Sequence, residues 1–319
     1  MDYNKCQLFG VQSQKMIAHL LHIKDKKFFK QWYVHEQIHP YIERKDAKKR
    51  LIEPPSEELK RIQRRLKVLL DEIPVPSYVF SGVKGKSYVD NAKLHKGNHF
   101  VYKIDLTAFF PSTNREKAYV FFRDKLKTSP DVADILSNFV TVDIDLADCQ
   151  DVEDINAFLI EKNVKTRKHL ISGSPASQLL SYLLNADMFN ELYKIASAHG
   201  MVMTVYVDDV TFSSNVRISR KVRESIIKTI HRFGFKESKK KVRSYSKNYP
   251  KLITGGTINK HGMCVVGNPM RYHIMTELSS LKKNSTDVTA KLRLQGLVSA
   301  ARQIDPQIYP SIKALAYKK

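Results

Sequence analysis

The spacing of apolar positions predicts a chain of mixed helix and strand. Met16, Ile17, Leu20 and Leu21 fall at helical intervals, as do Leu59, Ile62, Leu66, Leu69 and Leu70, so most of the first 70 residues reads as helix. Trp32 to Ile38 and Arg50 to Glu53 are the exceptions, rich enough in β-formers to read as short strands. Pro54 and Pro55 stop the second of these, and Ser56 is placed to cap the next helix, with Glu57 and Glu58 at its positive end. Pro74 and Pro76 mark a break, Asn91 to Leu94 reads as a short helix, and Gly97 as a turn. Phe100 to Leu106 has the composition of a strand. Helices are expected from Pro111 to about Lys127, within 131–161, from Ser172-Gly-Ser-Pro175 to about His199, and from about Arg217 to Phe233. Met201 to Val207 and Val210 to Ser213 are two β-rich runs separated by Asp208 and Asp209, the pattern of a hairpin with two carboxylates at its tip. Leu252 to Ile258 is a further β-rich run, and the last 50 or so residues look helical.

Composition narrows the class. The 319 residues are 42% hydrophobic and 10% aromatic, enough for a sizeable core and for two or three compact units. Three cysteines, Cys6, Cys149 and Cys264, are odd in number and far apart, which offers neither a disulfide framework nor a paired zinc motif and suits a reducing compartment. No apolar run approaches the roughly 18 residues of a membrane span, and the N-terminus lacks the pattern of a secretory signal, so an intracellular protein is expected.

Charge changes the picture most. There are 54 Lys and Arg against 32 Asp and Glu, a net charge of +22. Asp131 to Glu161 holds nine acidic residues and no Lys or Arg, whereas Arg217 to Lys251 holds 13 basic and two acidic ones. A field of this kind favours a polyanion, with nucleic acid the default partner and a solvated basic face the alternative.

Three carboxylates stand out by context: Asp105 ends a strand, and Asp208 and Asp209 sit at a hairpin turn bracketed by apolar strands. Adjacent strands would gather all three at one sheet edge. Hard divalent cations take oxygen ligands, usually one or two carboxylates plus substrate phosphates, and two such ions serve phosphoryl transfer. Gly85-Lys86-Ser87 mimics the end of a P-loop but lacks its first Gly. The pair His19 and His22 reads as helix packing, and the Asp143/Asp145 pair as acidic surface.

These residues resemble a known family. Tyr206-Val-Asp-Asp209 is similar to the YxDD motif of reverse transcriptases, and supporting blocks follow in order. They are 48–63, Phe100 to Ser112 around Asp105, Ser172 to Ser181, Gly234 to Lys241, and Ile253 to Gly256. Asn91-Ala-Lys-Leu-His95 and Ile253-Thr-Gly255 are similar to the NAxxH and VTG elements of retron reverse transcriptases. The resemblance covers about residues 45–260. It departs at Ser172, where many relatives carry Gln, and at Val207, where retrons commonly carry Ala.

The resemblance implies an α+β right-hand polymerase fold: helical fingers (1–99), an antiparallel-sheet palm (100–258, with an insertion at about 128–171) and a helical thumb (259–319). It implies an RNA-directed DNA polymerase using dNTPs and two Mg²⁺ ions. The template would be a cognate structured noncoding RNA, primed from an internal 2′-hydroxyl to give a branched RNA–DNA product. Anti-phage defence with a separate effector protein and a bacterial cytoplasmic location go with that reading.

Residue by residue, Asp105, Asp208 and Asp209 would be catalytic and metal-binding. Arg50, with Lys49 as rival, would pair with the triphosphate, and Gly173 would lie at the nucleotide. Phe110 would exclude a 2′-hydroxyl, with core packing as the alternative. Lys241, Thr254 and Gly255 would contact primer or RNA, Gly255-Gly256 also reading as a strand bend. Asn91 and His95, four apart, would contact the RNA or form a hydrogen-bonded pair holding fingers to palm. Other classes left open are a group II intron-like or other defence-associated reverse transcriptase, a non-catalytic RNA-binding scaffold, and a metal-dependent nuclease.

Overall fold

The structure, a computed structural model, describes residues 1–45 and 48–317. Ser56 caps the Glu57–Leu70 helix by accepting from the Leu59 amide, and the predicted apolar stripe is buried. The strands, in chain order, are β1 (Tyr41–Lys45), β2 (Lys48–Ile52), β3 (Phe100–Asp105), β4 (Thr141–Asp143), β5 (Lys168–Leu170), β6 (Val202–Tyr206), β7 (Asp209–Ser214), β8 (Arg243–Tyr245), β9 (Lys251–Ile253), β10 (Gly256–Ile258) and β11 (Cys264–Val266). β1 pairs with β2, β4 with β5, and β9, β10 and β11 form a three-stranded sheet. The central sheet has the order β6-β7-β3-β8 and is antiparallel throughout.

The period-2 alternation of a strand divides the central sheet into two faces. Tyr102, Ile104, Met203, Val205, Val210 and Phe212 point to one face and are buried in the main core. Val101, Lys103, Asp105, Asp209 and Thr211 share the other by register. At its Val101 end this second face is covered: Val101 packs with Ala92, Ile253 and Ile258. At its Asp105 end stand the charged residues. A separate apolar cluster holds the Asn268–Lys283, Val288–Ile304 and Pro310–Tyr317 helices around Ile274, Leu294 and Val298, and joins the rest through Val89 and Val266. β11 completes the sheet begun by β9 and β10, so the C-terminal helical unit starts at Asn268 rather than near 259. Among the described residues no helix is long and apolar enough to cross a membrane.

Several expected elements differ. Gln31–Glu36 is a helix, not a strand: Val34 and His35 are buried while Trp32 is exposed, and Ile38 follows at helical spacing. The helix expected from Pro111 begins only at Arg115, where Asn114 caps it, and widens into a π-helix over Phe121–Lys125. The acidic segment holds two helices, Pro130–Val140 and Val152–Glu161, with β4 between them. The long helix after Pro175 is two, Ser177–Leu183 and Ala186–Ala198. Asn185 breaks it by donating to the Ser181 carbonyl and to Thr113 Oγ1, competing with the helical pattern.

Candidate active site

The hairpin β6–β7 is closed by two residues, Val207 and Asp208, because Tyr206 pairs directly with Asp209. Val207 has φ +57°, a conformation a β-branched residue seldom adopts and one that costs about 1–3 kcal/mol. The Leu106 amide donates to the Asp208 carbonyl at 2.9 Å, which ties the tip to the end of β3. Asp105 pairs with Asp209 across β3–β7. The register therefore brings Asp105, Asp208 and Asp209 to one edge, as the sequence implied.

Three carboxylates this close repel, and the surroundings answer with two lysines. Lys241 Nζ lies 2.9 and 2.8 Å from the two oxygens of Asp105. Lys103 Nζ lies 2.8 Å from Asp209 Oδ2. Burial, then the charges of Asp105 and Asp209, push Asp208 up to about 6. Burial also raises Asp209, against the pull of Lys103.

Asp209 Oδ1 is buried without a hydrogen-bond partner. A buried carboxylate oxygen left unpaired, beside two more carboxylates, is the donor set a hard divalent cation would satisfy. No group of three or more carboxylate, imidazole or thiol side chains among the described residues forms a preformed metal cage.

The other predicted residues fall into two sets. On the side of β1–β2, Arg50 is exposed on β2, while its rival Lys49 is drawn to Asp154 at 3.4 Å. Phe109 is the core residue, packed on Phe189 and Phe235, and Phe110 beside it is only half-buried. Gly173 is exposed on one side, yet a Cβ there would lie 2.4 Å from the Glu53 carbonyl oxygen. Its glycine is explained by this close approach of the β2 strand end. Ser172, the departure from the family pattern, donates its amide to Glu53 Oε2 at 2.9 Å and its hydroxyl to the Leu51 carbonyl at 3.3 Å.

The second set joins the two retron-like elements to each other. Thr254 and Gly255 form the two-residue turn of β9–β10, with φ +43° and +100°, the signs a type I′ turn requires. Asn91 Nδ2 donates to Thr254 Oγ1 at 2.8 Å, and that hydroxyl donates to the Tyr88 carbonyl at 2.9 Å. His95 reaches Ser213 Oγ and Thr204 Oγ1, both at 2.7 Å, and so bridges β6 and β7. Asn91 is 1% exposed and His95 0%. Both side chains are bonded to protein but not to each other, and Asn91 Oδ1 is buried without a partner, so this structure shows neither an exposed nucleic-acid contact nor a hydrogen-bonded Asn91–His95 pair. Gly255 is exposed and Thr254 half-buried, so that turn still faces outward.

Sequence reasoning missed Lys103 and the buried pair of Glu53 and His169, 2.7 Å apart and each 0% exposed. Lys103 was accessible in principle, since it lies two before Asp105 on the same strand face. Glu53 and His169 are 116 residues apart and carry no local signal. The Asp143/Asp145 pair, expected as acidic surface, is surface only at Asp145, which Arg167 engages; Asp143 is buried and its charge is met by Lys168.

Carboxylates at the tip of an antiparallel hairpin, in a strongly basic chain, place it among proteins that work on nucleic-acid phosphates. Residues 42–268 match the family described as reverse transcriptase (RNA-dependent DNA polymerase), and the chain belongs to that family. The family implies the reverse transcriptase polymerase fold, with which this mixture of helix and antiparallel sheet is compatible.

The retron resemblance is borne out by curated relatives. The retron Se72 reverse transcriptase of Salmonella heidelberg (strain 579083-10) is 26% identical over 226 residues, 69% of this chain and 53% of that protein. The retron Ec83 reverse transcriptase of Escherichia coli is 23% identical over 265 residues, 81% of this chain and 79% of that one. The retron Mx65 reverse transcriptase of Myxococcus xanthus is 28% identical over 262 residues, 81% and 59% respectively. The chain thus spans about half to four fifths of the length of these relatives.

Proposed function

We propose that the chain is a retron-type RNA-directed DNA polymerase that copies part of a cognate structured noncoding RNA into DNA. One observation carries the reading: the register that sets Asp105 beside Asp209, with Asp208 at the tip of the hairpin. Residues 1–99 would be fingers, 100–267 palm and 268–319 thumb, the last boundary moved from 259 so that β11 stays with β9 and β10.

Mg²⁺ ions held by the three aspartates would lower the cost of developing charge on the attacking hydroxyl and the departing pyrophosphate. The chain's own side chains have separate tasks. Lys103 holds one oxygen of Asp209 and leaves the other free. Lys241 neutralises Asp105 in the absence of substrate, and its exposed stem lets it turn to a phosphate instead. Arg50, unengaged by any acid among the described residues, is the guanidinium for the triphosphate. Phe110 stands beside the nucleotide sugar and disfavours a 2′-hydroxyl. Priming from an internal 2′-hydroxyl, a branched RNA–DNA product, a bacterial cytoplasmic setting and service in anti-phage defence with a separate effector complete the proposal, supported by the likeness to retron enzymes.

Primer extension on poly(rA) primed with oligo(dT) tests it. The wild-type chain should incorporate dTTP in Mg²⁺ and Asp208→Asn should not, with an unchanged melting temperature. Equal incorporation by the two would remove the aspartates from the reaction.

A further inference from the structure

The Arg220–Arg232 helix buries Val222, Ile226, Thr229 and Ile230 in the main core. The adjacent stripe of the same helix (220, 223, 227 and 228) is exposed or half-buried, Ile227 lying against the core's margin. It forms one wall of an open groove of about 610 Å³, whose other wall is Tyr102 of β3 with Val242 and Ser244. A second hollow of about 350 Å³ continues it past Arg217 and shares Arg223 and Ser244. β8 is the edge of the central sheet, so no further strand closes the groove. By strand alternation Tyr102 belongs to the face opposite Asp105 and Asp209. The groove is therefore not the catalytic edge.

Its charge is unbalanced. Glu224 is engaged by Arg220 at 2.7 Å, and Glu237 by His231 at 2.6 Å. Arg217, Arg223 and Lys228 have no acidic partner among the described residues. The Arg223 guanidinium lies 5.9 Å over the Tyr102 ring, and its Nε is buried without a hydrogen-bond partner. A buried guanidinium nitrogen left unpaired on one wall of a cationic groove calls for an anionic acceptor. From Arg220 to Lys228 the helix rises about 12 Å, the length of three or four nucleotides at roughly 3.4 Å per phosphate along a strand.

We infer that this groove, on the reverse of the catalytic sheet, binds the phosphodiester backbone of an RNA strand outside the part being copied. Arg223 anchors a phosphate there, with Arg217 and Lys228 on its flanks. The inference rests on the chain acting on RNA. An acidic protein segment is the competing occupant. Three cations without acidic partners among the described residues, Arg217, Arg223 and Lys228, set along an open groove in a chain of net charge +22, favour nucleic acid.

The test uses the full chain and the variants Arg223→Gln/Lys228→Gln and Arg223→Lys/Lys228→Arg. The probe is a fluorescein-labelled RNA hairpin with long single-stranded arms, titrated by anisotropy across a range of salt. The Gln pair should bind about ten-fold more weakly, with a log–log salt slope shallower by roughly 1.4 to 1.8 for two lost phosphate contacts. The charge-retaining pair should restore both to within about two-fold, which a general loss of fold would not allow. Extension of oligo(dT) on poly(rA), short enough to occupy the catalytic edge alone, should stay within about two-fold in both variants. Unchanged affinity and slope in the Gln pair would overturn the inference. So would a Gln pair that binds RNA normally but loses affinity for polyglutamate, since the groove would then be a protein site. Failure of the wild-type chain to extend the primer would count against the polymerase proposal and leave the binding comparison readable.

Discussion

Two clusters of the chain match motifs of the same family, and they use their polar groups in opposite ways. At the hairpin tip, Asp105, Asp208 and Asp209 stand together with their charges only partly answered, and one oxygen of Asp209 has no partner. At the junction of the Tyr88–Lys93 helix with β9–β10, both ring nitrogens of His95 are hydrogen-bonded, and Asn91 and Thr254 satisfy each other in part. The first cluster keeps unspent bonding capacity for something that arrives. In the second, His95 spends both ring nitrogens on fixing β6 to β7, four residues from each aspartate of the turn, and Asn91 Oδ1 alone is left without a partner. A motif can be diagnostic of a family for either reason, and only the placement of each side chain separates them.

If this contrast is right, substitutions at the two clusters separate activity from stability. Asp208→Asn should have the largest effect on catalysis, a loss of DNA synthesis exceeding about 100-fold, since even outer-shell partners of a metal site are worth 10–100-fold. Its melting temperature should hold or rise, because a buried repulsion is relieved. Loss of both activity and folding would break the contrast.

His95→Leu should do the reverse. It strands the buried hydroxyl of Thr204 and leaves Ser213 only its bond from Asn98 Nδ2, and should cost about 1–3 kcal/mol of stability. Measured by urea denaturation at neutral pH, no change in midpoint would contradict the bridging role.

Acid sharpens the same point. Burial pushes His95 down to about 3 and His35 to about 4, so both are neutral in the folded chain. An unfolded histidine titrates near 6.5 and takes up its proton first as pH falls. The stability held by these groups is therefore complete above about pH 6.5 and drains as pH falls toward 4, by on the order of 3 kcal/mol for His95. Urea midpoints measured down this range should fall in the wild type and flatten in His95→Leu.

Gly173→Ala lies between the clusters in effect. Its Cβ meets the Glu53 carbonyl oxygen at 2.4 Å, which should cost about 1–3 kcal/mol and shift the β2 strand that carries Arg50. Steady-state kinetics should record a higher KM for dNTP with a smaller change in kcat. The smallest stability effect belongs to Lys241→Met: its side chain is 58% exposed against 14% for Asp105, and a urea midpoint should register no more than about 1 kcal/mol for so solvated a lysine.

How much of this was legible depended on distance along the chain. The aspartate edge was readable because two of its three aspartates share a turn, and the third ends a strand of unmistakable composition. The capped Glu57–Leu70 helix was readable from its stripe and Ser56. The Gln31–Glu36 helix was not, since aromatic and β-branched residues in a six-residue element favour strand until the partners of Val34 and His35 are known. Asn185 looked like any helical residue, because its role depends on Thr113, 72 positions away. The Glu53–His169 pair and the burial of Asn91 and His95 are long-range facts of the same kind. The positive φ of Val207 and Thr254 had no signal at all, for both are residue types that ordinarily avoid it.

The central claim is that the aspartate edge makes DNA on RNA, and one measurement addresses it most directly. The chain, purified with the nucleic acid it carries, is incubated with Mg²⁺ and labelled dNTPs, and the product is digested separately with RNase and DNase. DNA covalently joined to RNA, present in the wild type and absent in Asp208→Asn, is the predicted result. RNA alone, with no label incorporated by the wild-type chain, would contradict it.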